Sequence, residues 1–215
     1  MMLIGMFDSP FVRRVATTLK LYVMPFEHAD WSVGRDFERI REFSPLGRVP
    51  ALVMDDGEVL VESFAILDYL DDHVGPTRAL VPASGASRRA VLQLMAQSIA
   101  AAEKGRDMVY EQVMRPAGKR HEPWIERCRS QMHGALGQVE IACQRSGIGR
   151  WLVDDAFSQA DITATCVFTF LCEALGVSSE AALYPALTAL VARCEMLPEF
   201  QATHVPWFRP TIAVS

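Results

Sequence analysis

Cysteine is missing from the first 127 residues of this 215-residue chain, so no protein thiol can act as a nucleophile there. The five that follow are Cys128, Cys143, Cys166, Cys172 and Cys194. They are odd in number, irregularly spaced and without a C-x-x-C pair, which excludes a disulfide framework and a zinc ribbon and points to a reducing compartment. Each lies in an apolar or helix-like stretch, where a free cysteine packs as a small hydrophobe. The histidines (His28, His73, His121, His133, His204) form neither H-x-x-x-H nor H-E-x-x-H, so no bound metal is expected. Basic charge is not in excess: 21 Lys and Arg stand against 26 Asp and Glu, which leaves no electrostatic footprint for nucleic acid or an anionic membrane. No apolar run approaches the ~20 residues of a membrane-spanning helix. The opening Met1 to Asp8 lacks the basic stretch of a secretory signal. A soluble, cytoplasmic protein is expected.

Half of the residues are hydrophobic, enough for a buried core, and the length suits one large domain or two small ones. No internal repeat or low-complexity tract is present. The two halves read differently. Leu3 to Phe7 is a short apolar run, suited to a buried strand. Ser9-Pro10 opens a helix, serine being a favoured N-cap and proline a favoured first residue. Val12, Val15, Ala16, Leu19 and Val23 then mark one helical face, stopped at Pro25. Phe26 to Trp31 reads as a second strand and Gly34 to Phe43 as a solvated helix or irregular segment. Val49 to Met54 is a strand, Asp55-Asp56-Gly57 a hairpin turn, and Glu58 to Val61 the returning strand. A helix from Phe64 to His73 closes at Gly75-Pro76. The order βαβ, hairpin, helix predicts an α/β domain with a small mixed sheet over residues 1–78.

Beyond a linker at 79–85, only helical patterning appears, which predicts an all-α helical bundle over 86–215. Helices are expected at Arg88–Met114, Pro123–Ser146, Gln159–Leu175 and Glu180–Met196, with tail pieces near Pro198–Thr203. Ile162 to Leu175 holds one charge, Glu173, in fourteen residues, so this helix belongs in the bundle centre. Ser158 and Asp161 make a capping box at its start.

Three loops of the α/β half carry polar groups suited to a ligand. Ser9 stands at a positive helix end, where its hydroxyl can donate to a thiolate, although Ser-Pro is also an ordinary helix start. Ser44-Pro45-Leu46-Gly47-Arg48-Val49-Pro50 sets a proline just before a strand, one of the few places where a cis bond is expected. Backbone groups there can pair with an extended peptide. Glu62-Ser63 precedes the Phe64 helix: Ser63 as N-cap and the helix N–H groups would seat a carboxylate, while Glu62 would take an ammonium group. Together the three describe a site for a short thiol-containing peptide.

On these residues the chain resembles the glutathione transferases over essentially its whole length. The resemblance rests on Ser-Pro-Phe-Val-Arg-Arg-Val at 9–15, Pro-x-Gly-x-Val-Pro at 45–50, Glu62-Ser63, the element at 157–162 and the helical second half. The opening is most similar to bacterial, serine-type members related to the zeta and theta groups. This implies a thioredoxin-like first domain and glutathione as co-substrate. Ser9 then matches the thiolate-stabilising residue, and Phe11 lies beside the thiol. Val49 matches the residue whose backbone pairs with the cysteinyl unit, and Pro50 the cis-proline after it. Glu62 and Ser63 match the pair gripping the γ-glutamyl group, while Arg48 and Arg35 fall toward the glycyl carboxylate. Two departures stand out. Ser44 replaces the usual asparagine, and Asp8 places a negative charge beside the would-be thiolate, which would oppose its formation if turned inward.

The resemblance further implies a homodimer and addition of glutathione to a small electrophile, with a role in detoxification. The electrophile would sit between the domains, for which Met108, Tyr110, Met114 and Trp207 are candidates. Two alternatives accompany this reading: glutathione-dependent isomerisation of a maleyl-type diacid, and a non-catalytic interaction protein with the same fold.

Overall fold

The computed structural model describes residues 1–177 and 182–208. Leu3 and Ile4 have no exposed surface, so strand β1 (Met2–Ile4) lies inside a sheet. β2 (Glu27–Ala29) pairs with it in parallel, Leu3 opposite His28, because helix α1 (Pro10–Leu21) carries the chain back between them. On its other side β1 pairs antiparallel with β3 (Ala51–Val53), and β3 with β4 (Val59–Val61). Gly57, at φ +91°, makes the hairpin turn. The result is a mixed four-stranded sheet in the order β2-β1-β3-β4. The short α2 (Phe37–Arg41) covers one face through Ile40, over Ile4, Ala29 and Ala51; α1 and α3 (Ser63–Val74) cover the other.

The second half is helical: α4 (Gly85–Val113), α5 (Glu122–Ser146), α6 (Gln159–Leu175), α7 (Pro185–Glu195) and α8 (Pro198–Gln201). α6 occupies the centre, as its near-uncharged sequence requires, and is buried from Gln159 through Phe168. Its capping box forms, with Ser158 accepting from Ala160 N–H and Asp161 reaching back to Ser158 N–H at 2.9 Å. Among the described residues no helix is long and apolar enough to cross a membrane.

Several boundaries differ from expectation: α1 ends at Leu21, so Val23, read as part of its apolar face, lies beyond the helix at φ +56° and is 83 % exposed. α4 starts at Gly85 rather than Arg88, because Ser84 holds extended backbone at the N-cap position. α7 starts at Pro185, a residue suited to the first turn, while Glu180, where a start was expected, lies outside the described residues. α3 starts at Ser63 itself, so Glu62, at φ +68°, takes the N-cap position expected of Ser63.

The halves are fastened through α1. Arg13 makes a two-pronged pair with Glu195 of α7 at 2.8 and 2.6 Å and donates to the Phe200 carbonyl at 3.1 Å. Thr17 meets Thr203 at 2.8 Å, and Gln159 donates to Thr18 at 2.7 Å. At the other end of α1, Asp71 accepts the Tyr22 hydroxyl and the N–H groups of Leu80 and Val81, tying the linker to α3. These bonds fix the separation of the two halves.

Candidate active site

A cavity of about 870 Å³ lies between the halves. One wall comes from the β1–α1 turn, the loop before β3 and the start of α3; the other comes from α4, with Phe170 of α6 and Trp207 completing it.

The β1–α1 turn depends on Gly5. It sits at φ +128°, and a Cβ there would lie 2.6 Å from Val12 and 2.8 Å from Val49, so only glycine lets this turn meet the Val49 loop. Ser9 then takes the N-cap position of α1, yet its hydroxyl makes no capping bond. The residue lines the cavity beside Phe11. An uncommitted hydroxyl at a positive helix end can donate to an anionic sulfur. Val49 lines the adjoining surface, and the Val49–Pro50 peptide bond is cis, as the loop's sequence anticipates. Pro50 itself is buried behind Val49 and does not reach the cavity.

Ser63 is 2 % exposed, and its oxygen accepts from Arg14 Nη2 at 2.8 Å. Arg14 has no exposed surface. Its described hydrogen-bond partners are the neutral Ser63 and Thr163, the latter at 3.3 Å; its guanidinium lies 4.5 Å over the Phe64 ring, and its Nε has no partner. Burial without a bonded carboxylate pulls its pKa down to about 9, which still leaves it charged at neutral pH. A buried cation behind Ser63, at the start of α3, makes this a seat for a carboxylate. Glu62 stands at its rim, 3.5 Å from Arg48. Arg35 lies further out, 64 % exposed, paired with Asp36 at 2.9 Å and donating to the Asp30 carbonyl at 2.8 Å.

Asp8 also lines the cavity. Burial holds its carboxyl up at about 6 despite N–H groups donated by Phe208 and Ser9, and the charges of Asp30 and Glu173 add to the rise. Glu173 of α6 fastens the C-terminal segment, taking His204 and the Trp207 N–H, each at 2.8 Å. That places Trp207 against the cavity. On α4, Tyr110 and Met114 line it.

Met108 does not. It is 1 % exposed and packs on Ile125 and Cys128 between α4 and α5. Residues two apart point about 200° from one another around a helix, so Met108 and Tyr110 cannot share a face. The sequence reading also passed over Arg14, Arg106 and Phe170. Arg106, the one of these on α4, was accessible from helical spacing, since Ile99, Glu103, Arg106, Tyr110 and Val113 form one stripe.

The five cysteines are free; four are buried, and burial pushes the thiols of Cys143 and Cys194 up to about 12 and those of Cys166 and Cys172 to about 11. None lines the cavity. Among the described residues no cluster of His, Cys, Asp and Glu could hold a metal.

A thioredoxin-like sheet joined to a helical bundle sets polar loops on one side of the cleft and the α4 stripe on the other. Residues 3–78 match the N-terminal domain of glutathione S-transferases and residues 106–198 their C-terminal domain, and the chain belongs to this family. It is 28% identical over 177 residues to YibF, an uncharacterised transferase-like protein of Escherichia coli, covering 80% of this chain and 82% of that one. A glutathione S-transferase of Methylobacterium radiotolerans, in complex with glutathione sulfonate, superposes with TM-score 0.89 at 25% identity, covering 100% of this chain and 98% of the other. One of Methylobacillus flagellatus, with glutathione bound, superposes at 0.85 and 25% identity, covering 94% and 98%.

Proposed function

We propose that the protein binds glutathione along the thioredoxin-like wall and transfers its thiolate to a small electrophile held against α4. The observation that carries this reading is the uncommitted Ser9 hydroxyl at the α1 N-terminus, in one groove with Val49 and Ser63. The γ-glutamyl carboxylate would rest on Ser63 and the first N–H groups of α3, with the buried Arg14 as its counter-charge, and Glu62 would take the ammonium group. The Val49 backbone would pair with the cysteinyl unit, and the sulfur would then fall between Ser9 and Phe11. Arg48, and Arg35 at the outer rim, would face the glycyl carboxylate. Residues 1–78 thus hold glutathione and residues 86–215 face the electrophile, joined by the linker at 79–85. Glutathione itself supplies the nucleophile, so the absence of a cavity-lining cysteine is no obstacle. Catalysis here is stabilisation of charge on sulfur by a preorganised donor and helix end.

A maleyl-diacid isomerase would draw on basic residues lining the cleft, and a direct assay of cis–trans conversion separates that alternative from transfer. Family membership supports a homodimer in which one subunit's α/β domain packs on the other's helices; sedimentation at twice the chain mass is the expected result. Glutathione titration followed by turnover of a chloronitroarene tests the reading. Binding with turnover is expected, and Ser9→Ala should lower kcat by about a hundredfold while leaving glutathione affinity within about threefold. Binding without turnover of any electrophile would indicate the non-catalytic interaction protein; no binding at millimolar glutathione would refute the glutathione site itself.

A further inference from the structure

The α4 wall carries a cation that the glutathione reading leaves unused. Arg106 lies on the stripe facing the cavity, its side chain 22% exposed. Its one described hydrogen bond is a single 3.2 Å contact from Nη2 to Asp107 Oδ1. The other oxygen of Asp107 is taken by Lys104 at 3.0 Å. One carboxylate shared by two cations leaves Arg106 only partly compensated by a bonded partner, with Glu103, one turn before it on the same stripe, the other acid beside it. The guanidinium carbon is 6.0 Å from the centre of the Phe11 ring, which stands two residues from Ser9. One turn further along α4, burial raises the pKa of the Tyr110 hydroxyl, with the charges of Arg106 and Arg48 acting against the rise and that of Asp107 with it. Phe11, Val109, Phe170 and Trp207 give the cavity apolar surface alongside Glu103 and Asp8.

The acids of the cavity do not cancel this charge by pairing. Glu62 is engaged by Arg48, and Asp8 accepts the Ser9 and Phe208 N–H groups. Glu103, one turn before Arg106, forms no ion pair among the described residues; its charge acts on Lys104. A largely desolvated, half-neutralised guanidinium beside aromatic rings suits a flat molecule bearing a carboxylate, because the fork of Arg matches carboxylate geometry and the rings match its body.

We propose that Arg106 is the anion-recognising residue of the electrophile pocket, and that the preferred electrophiles are small planar molecules carrying a carboxylate. This rests on the transferase reading. With a halonitrobenzoate, the glutathione sulfur would bond to the ring carbon bearing chlorine, the negative charge would spread into the ring and nitro group, and chloride would leave with the bonding pair. The carboxylate, held at Arg106, takes no part in bond making; it sets the ring against Phe11 with the reacting carbon toward the sulfur.

The test compares para-chloro-meta-nitrobenzoate with its methyl ester, each rate divided by the uncatalysed rate with glutathione. For the wild type the carboxylate should gain at least about tenfold more acceleration than the ester. Arg106→Gln should lower kcat/KM for the carboxylate about thirtyfold and for the ester less than about threefold, with Arg106→Lys recovering part of the loss. Equal losses for both would overturn the proposal. The wild type alone gives a second measurement by calorimetry with the two finished glutathione conjugates. The carboxylate conjugate should bind about tenfold more tightly, and equal affinity would overturn the proposal whether or not the variants fold. Glutathione binding with equal acceleration of both arenes refutes the anion site and leaves the transferase reading standing. A protein that binds no glutathione loses both.

Discussion

The thioredoxin-like wall draws its chemistry from chain geometry: two helix beginnings, a cis-proline loop and the hydroxyls of Ser9 and Ser63. The opposite wall draws its chemistry from long side chains set along one helix at three- and four-residue spacing. Helix termini and backbone groups are fixed by the fold, so the first wall can stay constant while its partner varies. A single substitution on α4 exchanges a pocket-facing group without moving the backbone. Variants of the first wall should therefore alter every reaction of the protein equally, and variants of the second should alter its choice among electrophiles.

The largest way to break this comparison is to release the clamp that holds the walls apart. Arg13→Met leaves the Glu195 carboxylate without its buried partner and should cost about 3 kcal/mol in a urea titration. Rates with all electrophiles should fall together as the cleft loosens. A loss below about 1 kcal/mol would show that α1 is not the fastener. Arg14→Met comes next. Removal of the cation behind Ser63 should weaken glutathione binding by calorimetry by at least about tenfold, and leave the ratio of rates between electrophiles unchanged. A change of that ratio would contradict the division between the walls.

Asp8→Asn touches neither the clamp nor the buried cation, and its effect develops across a pH window. The Asp8 carboxyl is held at about 6, above its ordinary 3.8, so the folded state keeps a proton that the unfolded chain has already lost. Below about pH 4 both states are protonated and the site costs nothing; above about pH 6 both are ionised and the full burial cost applies. The variant should thus gain stability over the wild type as pH rises across that window, by no more than about 3 kcal/mol. Thermal melts at several pH values check it. A constant difference would mean that Asp8 is not desolvated.

The two walls also differ in how far the chain discloses them. Ser9-Pro10, Val49-Pro50 and Glu62-Ser63 each hold their meaning within a few residues, because a helix start or a proline loop is a local event. The small mixed sheet and the buried α6 follow from similarly local patterns. The α4 wall does not. Tyr110 and Met114 were found by residue type, but type alone also selected Met108, which faces α5. Arg14 reads as one more polar residue of α1 until α3 and α6 close over it, bringing Ser63 and Thr163 to its guanidinium. Arg106 reads as a solvated charge until Phe11, from the other domain, comes to 6.0 Å. Helical spacing puts Arg106 on the face of Tyr110, but the groups that give Arg106 and Arg14 their surroundings arrive only through tertiary convergence.

Ultraviolet difference titration of glutathione into the protein addresses the thiol corner most directly. Bound glutathione should develop thiolate absorbance at a pH well below that needed in free solution, and Ser9→Ala should return the transition toward the free value while glutathione still binds. Saturable binding with no early thiolate band, or a band unchanged by Ser9→Ala, would contradict the account.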